Sequence, residues 1–189
     1  MAAIAIAGVG LMVVCSSSLA AVMMMGGEEE TPTTTTTTTT SAGPAAPTIP
    51  SGQYVKLVHT NLNEVINLAE LEVFAKAGTT NLAAGKTVTS SAFHPAGPLP
   101  NLVDGNMTNF AHTMNEVADT GDSMLIDLGS VQEIEKIKIT NRVDCCQDRA
   151  MGIKAVILGA DGTTVVKETP AITTNAATYT FTFPGTAWA

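Results

Sequence analysis

From Gln53 onward the apolar positions come in short runs, at Tyr54 to Val58, Ala69 to Phe74, Met124 to Leu128, Ile134 to Ile139, Lys154 to Leu158, Thr163 to Val166 and Thr178 to Phe183. Alternation is strict in Ile137-Lys138-Ile139-Thr140 and in Tyr179-Thr180-Phe181-Thr182-Phe183. A period of two puts every apolar side chain of a strand on one face. Asp104-Gly105, Gly121-Asp122, Leu128-Gly129 and Asp161-Gly162 separate the runs and read as turns. No long segment of this region has helical periodicity. The pattern predicts an all-β domain, an antiparallel β-sandwich, over residues 53–189.

The N-terminal segment is of another kind. Residues 2–25 hold no charge and are mostly Ala, Val, Ile, Leu and Met, long enough to cross a bilayer as an apolar helix. Residues 1–26 are therefore expected to be a transmembrane or signal-anchor segment. Ser18-Leu19-Ala20 offers a small-x-small site for a cleaved signal peptide, but no Lys or Arg precedes Lys56, and such a peptide needs a basic start. Cys15, inside the apolar run, reads as an inert buried thiol. Glu28, Glu29 and Glu30 follow the segment, which favours the domain lying outside the cytoplasm. The unbroken Thr33 to Thr40, with Pro44, Pro47 and Pro50 beyond it, reads as an extended spacer over residues 27–52 that buries no core. The expected localisation is a single-pass membrane protein with its C-terminal domain extracellular or lumenal, or a place on a virion.

Charge and composition narrow the function classes. With 17 Asp and Glu against 9 Lys and Arg, the 189-residue chain carries a net charge of -8. Nucleic acid is excluded as an expected partner, since phosphate binding needs a basic face. The 3 histidines are dispersed, no nucleophile stands beside a base, and no carboxylates form a spaced motif, so an enzyme is not expected.

The densest chemistry lies in Asn141-Arg142-Val143-Asp144-Cys145-Cys146-Gln147-Asp148-Arg149, which holds both arginines of the chain and two adjacent cysteines. Arginine presents a planar fork of donors suited to hydroxyl and carboxylate oxygens, and Asp144 is a natural partner to hold those forks in place. The cysteines either close on each other into a small ring or stay as buried free thiols within a solvated charged turn.

Read outward, this cluster resembles the fucose-binding F-type lectins, or fucolectins, which lie within the discoidin-like, galactose-binding-domain-like sandwiches of jelly-roll type. The family pattern of His, Arg, Asp, a Cys-Cys pair and a second Arg is matched by His112, Arg142, Asp144, Cys145, Cys146 and Arg149. The upstream text is similar too: Asn81-Leu82-Ala83, Gly85-Lys86, Ser90-Ser91, Val103-Asp104-Gly105-Asn106, His112-Thr113 and Ile126-Asp127-Leu128-Gly129. The resemblance covers roughly residues 81–165.

It implies that His112, Arg142 and Arg149 donate to sugar hydroxyls and the ring oxygen, that Asp144 orients an arginine, and that a Cys145–Cys146 disulfide stacks on an apolar edge of the sugar. Fucosylated or related glycans are the implied partners, with affinity gained by multivalency. The resemblance also implies a structural calcium (Ca2+) held by oxygens of Asn101, Asp104 and Asn106, the Ala69 carbonyl and the Glu70 carboxylate, all donors that calcium accepts. Asn109 is a further candidate ligand. His59 and His94 are expected to be ordinary surface or loop residues.

Three departures from the family stand out. The interval from His112 to Arg142 is longer than usual, with the excess in Met114 to Asp122. A customary tryptophan pair is replaced by Ser123-Met124-Leu125. Text that normally closes these sandwiches occurs first here, as Tyr54-Val55-Lys56-Leu57 and Leu68-Ala69-Glu70-Leu71-Glu72-Val73, which looks like a circular permutation. The competing expectation to a tethered lectin is a structural protein of a virion, a minor capsid or envelope protein whose sandwich contacts other proteins. The leader resembles those of surface proteins of large DNA viruses.

Overall fold

A computed structural model describes residues 48–90, 93–114 and 121–184. The expected N-terminal membrane helix over residues 1–26 lies outside the described residues, as does most of the Thr/Pro spacer. Among the described residues no helix is long and apolar enough to cross a membrane.

The strands are β1 (Ser51–His59), β2 (Asn67–Ala75), β3 (Thr87–Thr89), β4 (Ala111–His112), β5 (Ser123–Asn141), β6 (Ile153–Leu158), β7 (Val165–Glu168) and β8 (Thr178–Thr182). Short 3-10 turns occupy Leu99–Val103 and Gln147–Ala150. β1 begins at Ser51, inside the stretch expected as spacer.

Every ladder is antiparallel. One layer runs β3, the first half of β5, β1, β6 and β7. The other runs β4, β2, the second half of β5 and β8. β5 thus belongs to both layers, and the sheet curls on itself through it into a sandwich.

This corrects the expected turn at Leu128-Gly129. Gly129 has φ +87, a left-handed conformation that glycine adopts without a Cβ penalty, and the strand runs on through it; the change from one layer to the other comes later, where pairing with β1 ends at Glu133 and pairing with β2 begins at Ile134. The inward-facing positions then slip from even (Met124, Ile126, Leu128, Ile134) to odd (Ile137, Ile139). A matching register shift lies between Phe74 and Ala75 on β2, as a bulge requires when one extra residue opposes the partner strand. The Thr163 to Val166 run also lies later than expected, because Asp161 accepts from the Thr163 and Thr164 amides and keeps both residues in the turn before β7.

One cluster forms the core. It draws Val55 and Leu57 from β1, Leu71 and Val73 from β2, Met124 to Ile139 from both halves of β5, Ile153 to Ile157 from β6, and Tyr179 and Phe181 from β8. Burying each large side chain contributes about 1.5–3 kcal/mol. That core fixes the ends of β2, β4 and β5 side by side, and the candidate chemistry sits at those ends.

Candidate functional site

Antiparallel register places three polar residues in one row. Asn67 on β2 pairs with His112 on β4. Leu68 pairs with Asn141 at the end of β5, so Arg142 stands one step further on, opposite Asn67. Side chains at paired positions share a face, and His112, Asn67 and Arg142 therefore line up across three chain segments.

Arg142 is held firmly. Its Nε and Nη2 donate to the two Asp144 oxygens at 2.7 and 2.6 Å, and its guanidinium carbon lies 3.7 Å from the Phe110 ring centroid. Planar pairing plus stacking leaves such a fork little freedom. The same pairing holds the Asp144 carboxyl at about 2, below its ordinary value. Arg142 is only 7% exposed. Its Nη1 carries no partner among the described residues.

His112 Nδ1 donates to the Thr113 carbonyl, so in the neutral ring Nε2 carries the lone pair. Arg149 Nη1 lies 3.5 Å from that Nε2. Burial pushes the His112 pKa down, and the nearby His94, Arg149 and Arg142 push the same way against the Thr113 hydrogen bond. His112 is thus an acceptor beside a donor, whereas the sequence led us to expect another donor. A hydroxyl can give its proton to Nε2 while accepting from Arg149.

Arg149 comes from the Gln147–Ala150 turn, whose shape follows from Cys146. Cys146 adopts φ 59, and its carbonyl accepts from the Arg149 amide at 3.2 Å. Cys145 and Cys146 form a vicinal disulfide, and Cys145 is exposed. The Asn141 side chain ties this turn back to the sheet, donating to Gln147 and Ala176 carbonyls at 2.9 and 3.1 Å.

Four residues around the site were not foreseen. His59, expected at the surface, is 2% exposed because its ring is built into the loop: Nδ1 accepts from the Asn61 amide and Nε2 donates to the Arg149 carbonyl at 3.1 Å. His94 is a loop residue as expected, yet its ring lies 5.2 Å from that of His112. Gly97 permits this approach, since a Cβ there would come within 2.6 Å of the His112 Cβ. Phe110 supplies the surface under Arg142. Asn67 is fully buried with neither amide atom hydrogen-bonded. An asparagine within Ile66-Asn67-Leu68 was the visible signal for the last of these; the others depend on loop paths that periodicity does not encode.

A second polar cluster lies around the Asp104-Gly105 turn. Glu70 is fully buried; its Oε2 accepts from the Gly105 amide at 3.1 Å and its Oε1 has no donor. Burial, with Asp104 nearby, raises the Glu70 pKa to about 7. Asp104 accepts from the Asn106 amide at 2.8 Å and from Asn109 Nδ2 at 2.7 Å, and Asn109 Oδ1 is buried without a donor. Ala69 is the extra residue at the shift between Leu68 and Glu70. Asn101 donates to the Phe110 carbonyl at 3.0 Å, and Asn106 Oδ1 accepts from Thr108, so the Asn106 side chain is already engaged in its own turn.

Two orphaned buried oxygens on residues tied to one turn fit a hard cation of calcium type. The donor set is carboxylate, amide and carbonyl oxygen. Among the described residues no three His, Cys, Asp or Glu side chains converge as a metal cage.

Residues 101–188 match the family model of NedA-like, galactose-binding domains. The match supports the discoidin-like, galactose-binding-like superfamily, a class of carbohydrate- or protein-binding module. No curated protein and no solved structure matches the chain significantly. The matched stretch contains β5 to β8 but leaves out β1 and β2, each flanked by strands on both sides within its layer. The chain supplies those inner strands from before the matched region.

Proposed function

We propose that the domain is a carbohydrate-binding module that takes a neutral sugar of fucose type at His112, Arg142 and Arg149. The observation that carries this reading is the 3.5 Å pairing of the His112 Nε2 acceptor with the Arg149 Nη1 donor, beside an Arg142 fork already locked by Asp144. One sugar hydroxyl donates to His112 and accepts from Arg149, while the Nη1 of Arg142, which Asp144 does not engage, serves a neighbouring oxygen. Fixed donors and acceptors discriminate hydroxyl geometry because a mismatched buried group goes unpaired. The Cys145–Cys146 disulfide offers a low-polarity surface at the rim for an apolar sugar edge.

Calcium is proposed as a structural ion held by Glu70, Asp104 and Asn109 with backbone carbonyls that include Ala69. When bound it would supply charge that satisfies Glu70 Oε1 and Asn109 Oδ1, and it would fix the loop that carries Phe110 and leads into β4, where His112 stands. Display of the domain outside the cytoplasm on the N-terminal segment is part of the same proposal and rests on the sequence.

A glycan array probed with the full chain, oxidised and calcium-loaded, tests the sugar reading. Retention by fucosylated glycans, lost in Arg142→Ala, is expected; absence of retention by any fucosylated glycan removes it.

A further inference from the structure

The outer face of the β1–β6–β7 layer carries a concavity whose lining includes none of His112, Arg142 and Arg149. Its volume is about 400 Å³, within the range of small-molecule clefts. Tyr54 pairs with Leu158, Lys56 with Val156 and Val58 with Lys154 across β1 and β6, so these side chains share the face turned away from the core. Val156 and Leu158 are each only 5% exposed although neither belongs to the core cluster. The turn through Gly162 and Thr163 and the side chain of Val165 rise over them as a wall. Val165 itself is 54% exposed, an apolar surface without a cover.

Charge decides what fits this slot. Lys154 donates to Glu168 at 2.7 Å, so that pair is neutral as a unit. Asp127, which pairs with Tyr54 on the neighbouring strand, accepts from Gln53 and from the Gly129 amide. Lys56 lies between them with no carboxylate partner among the described residues. A single uncompensated ammonium at the edge of an apolar floor matches a single carboxylate on an apolar body.

We propose that this cleft binds a small apolar monocarboxylate, with its apolar body on Val58, Val156, Leu158 and Val165 and its carboxylate on Lys56. A neutral apolar molecule would use the floor and leave Lys56 unanswered. A dicarboxylate or phosphate would meet Glu168, which lines the cleft, with its second charge.

Methyl-resolved NMR of the full chain, titrated in parallel with phenylacetate and the neutral phenylacetamide, tests the proposal. Saturable shifts confined to Val58, Val156, Leu158 and Val165 are expected, with phenylacetate about tenfold the tighter. Lys56→Gln should bring phenylacetate to the level of the amide with the remaining spectrum unchanged, and Lys56→Arg should keep the preference. Equal response to acid and amide, indifference to Lys56→Gln, absence of saturable shifts, or shifts that follow protein concentration alone would each overturn it. Fucose binding is unaffected by either variant, so this test stands apart from the sugar reading.

Discussion

Arg149 Nη1 faces the unprotonated Nε2 of His112 at 3.5 Å, an arrangement that sets a donor and an acceptor one hydroxyl apart. It depends on the Thr113 carbonyl, which fixes the His112 tautomer, and on buried His59, which holds the Arg149 backbone.

That relationship gives the sugar site a pH dependence of definite sign. Protonation of His112 removes the acceptor, and its folded-state pKa lies below 6.5. Binding should therefore be flat above pH 6.5 and fall as pH drops through the depressed pKa. The same shift means that the unfolded chain takes up this proton first, so the contribution of His112 to stability is present above its unfolded value and declines on acidification. Fucose titrations across pH 4.5–8 check this, and binding that strengthens on acidification would contradict it.

Asp144→Asn should loosen the Arg142 fork, because the charged bidentate acceptor is lost. Asp144 is 55% exposed, so global stability should change little. Fucose affinity should fall about tenfold, roughly 1.4 kcal/mol, and isothermal titration together with thermal melts separates the two effects.

Reduction of Cys145–Cys146 should act on binding and not on folding. Loop-closure stabilisation grows with the length of the closed loop, and here the cysteines are adjacent. We expect a melting shift of about 2 °C or less after mild reduction, under 1 kcal/mol for a domain of this size, with weakened retention on a fucose matrix.

Calcium should raise the melting temperature of the full chain, by an amount equivalent to about 2.7 kcal/mol at a hundredfold excess over Kd. Chelation should reverse it. In Glu70→Gln the calcium response should be strongly reduced, since the fully buried carboxylate is replaced by a neutral amide; an undiminished response would place the ion elsewhere.

Asn67→Leu should stabilise the domain by about 1 kcal/mol, because two buried amide atoms without partners are replaced by apolar ones of similar size. Denaturant midpoints measure the change.

Much of this was legible in the chain. Period-two alternation announced β5 and β8 because each buries one face only, and Arg142, Asp144 and the cysteines are neighbours in sequence as in space. Other features were hidden because they belong to the meeting of distant segments. The Leu128-Gly129 step carries turn residues, but pairing with β1 on both sides of it, at Asp127 and at Gln132, keeps it within one strand. β3 and β4 are too short to show a period. His59 has nothing in its neighbours to announce burial; contact with the Arg149 carbonyl across the fold decides it. The role of His112 as acceptor follows from one backbone carbonyl, which no residue pattern encodes.

The central claim is that His112, Arg142 and Arg149 form one sugar site. Its most direct test is calorimetric titration of the oxidised, calcium-loaded full chain with L-fucose, alongside Arg142→Ala and Arg149→Ala. Saturable binding with a Kd on the order of 0.1–1 mM, abolished in both variants with their melting temperatures retained, is the predicted result. No heat of binding in the parent protein, or binding that survives both substitutions, would contradict it.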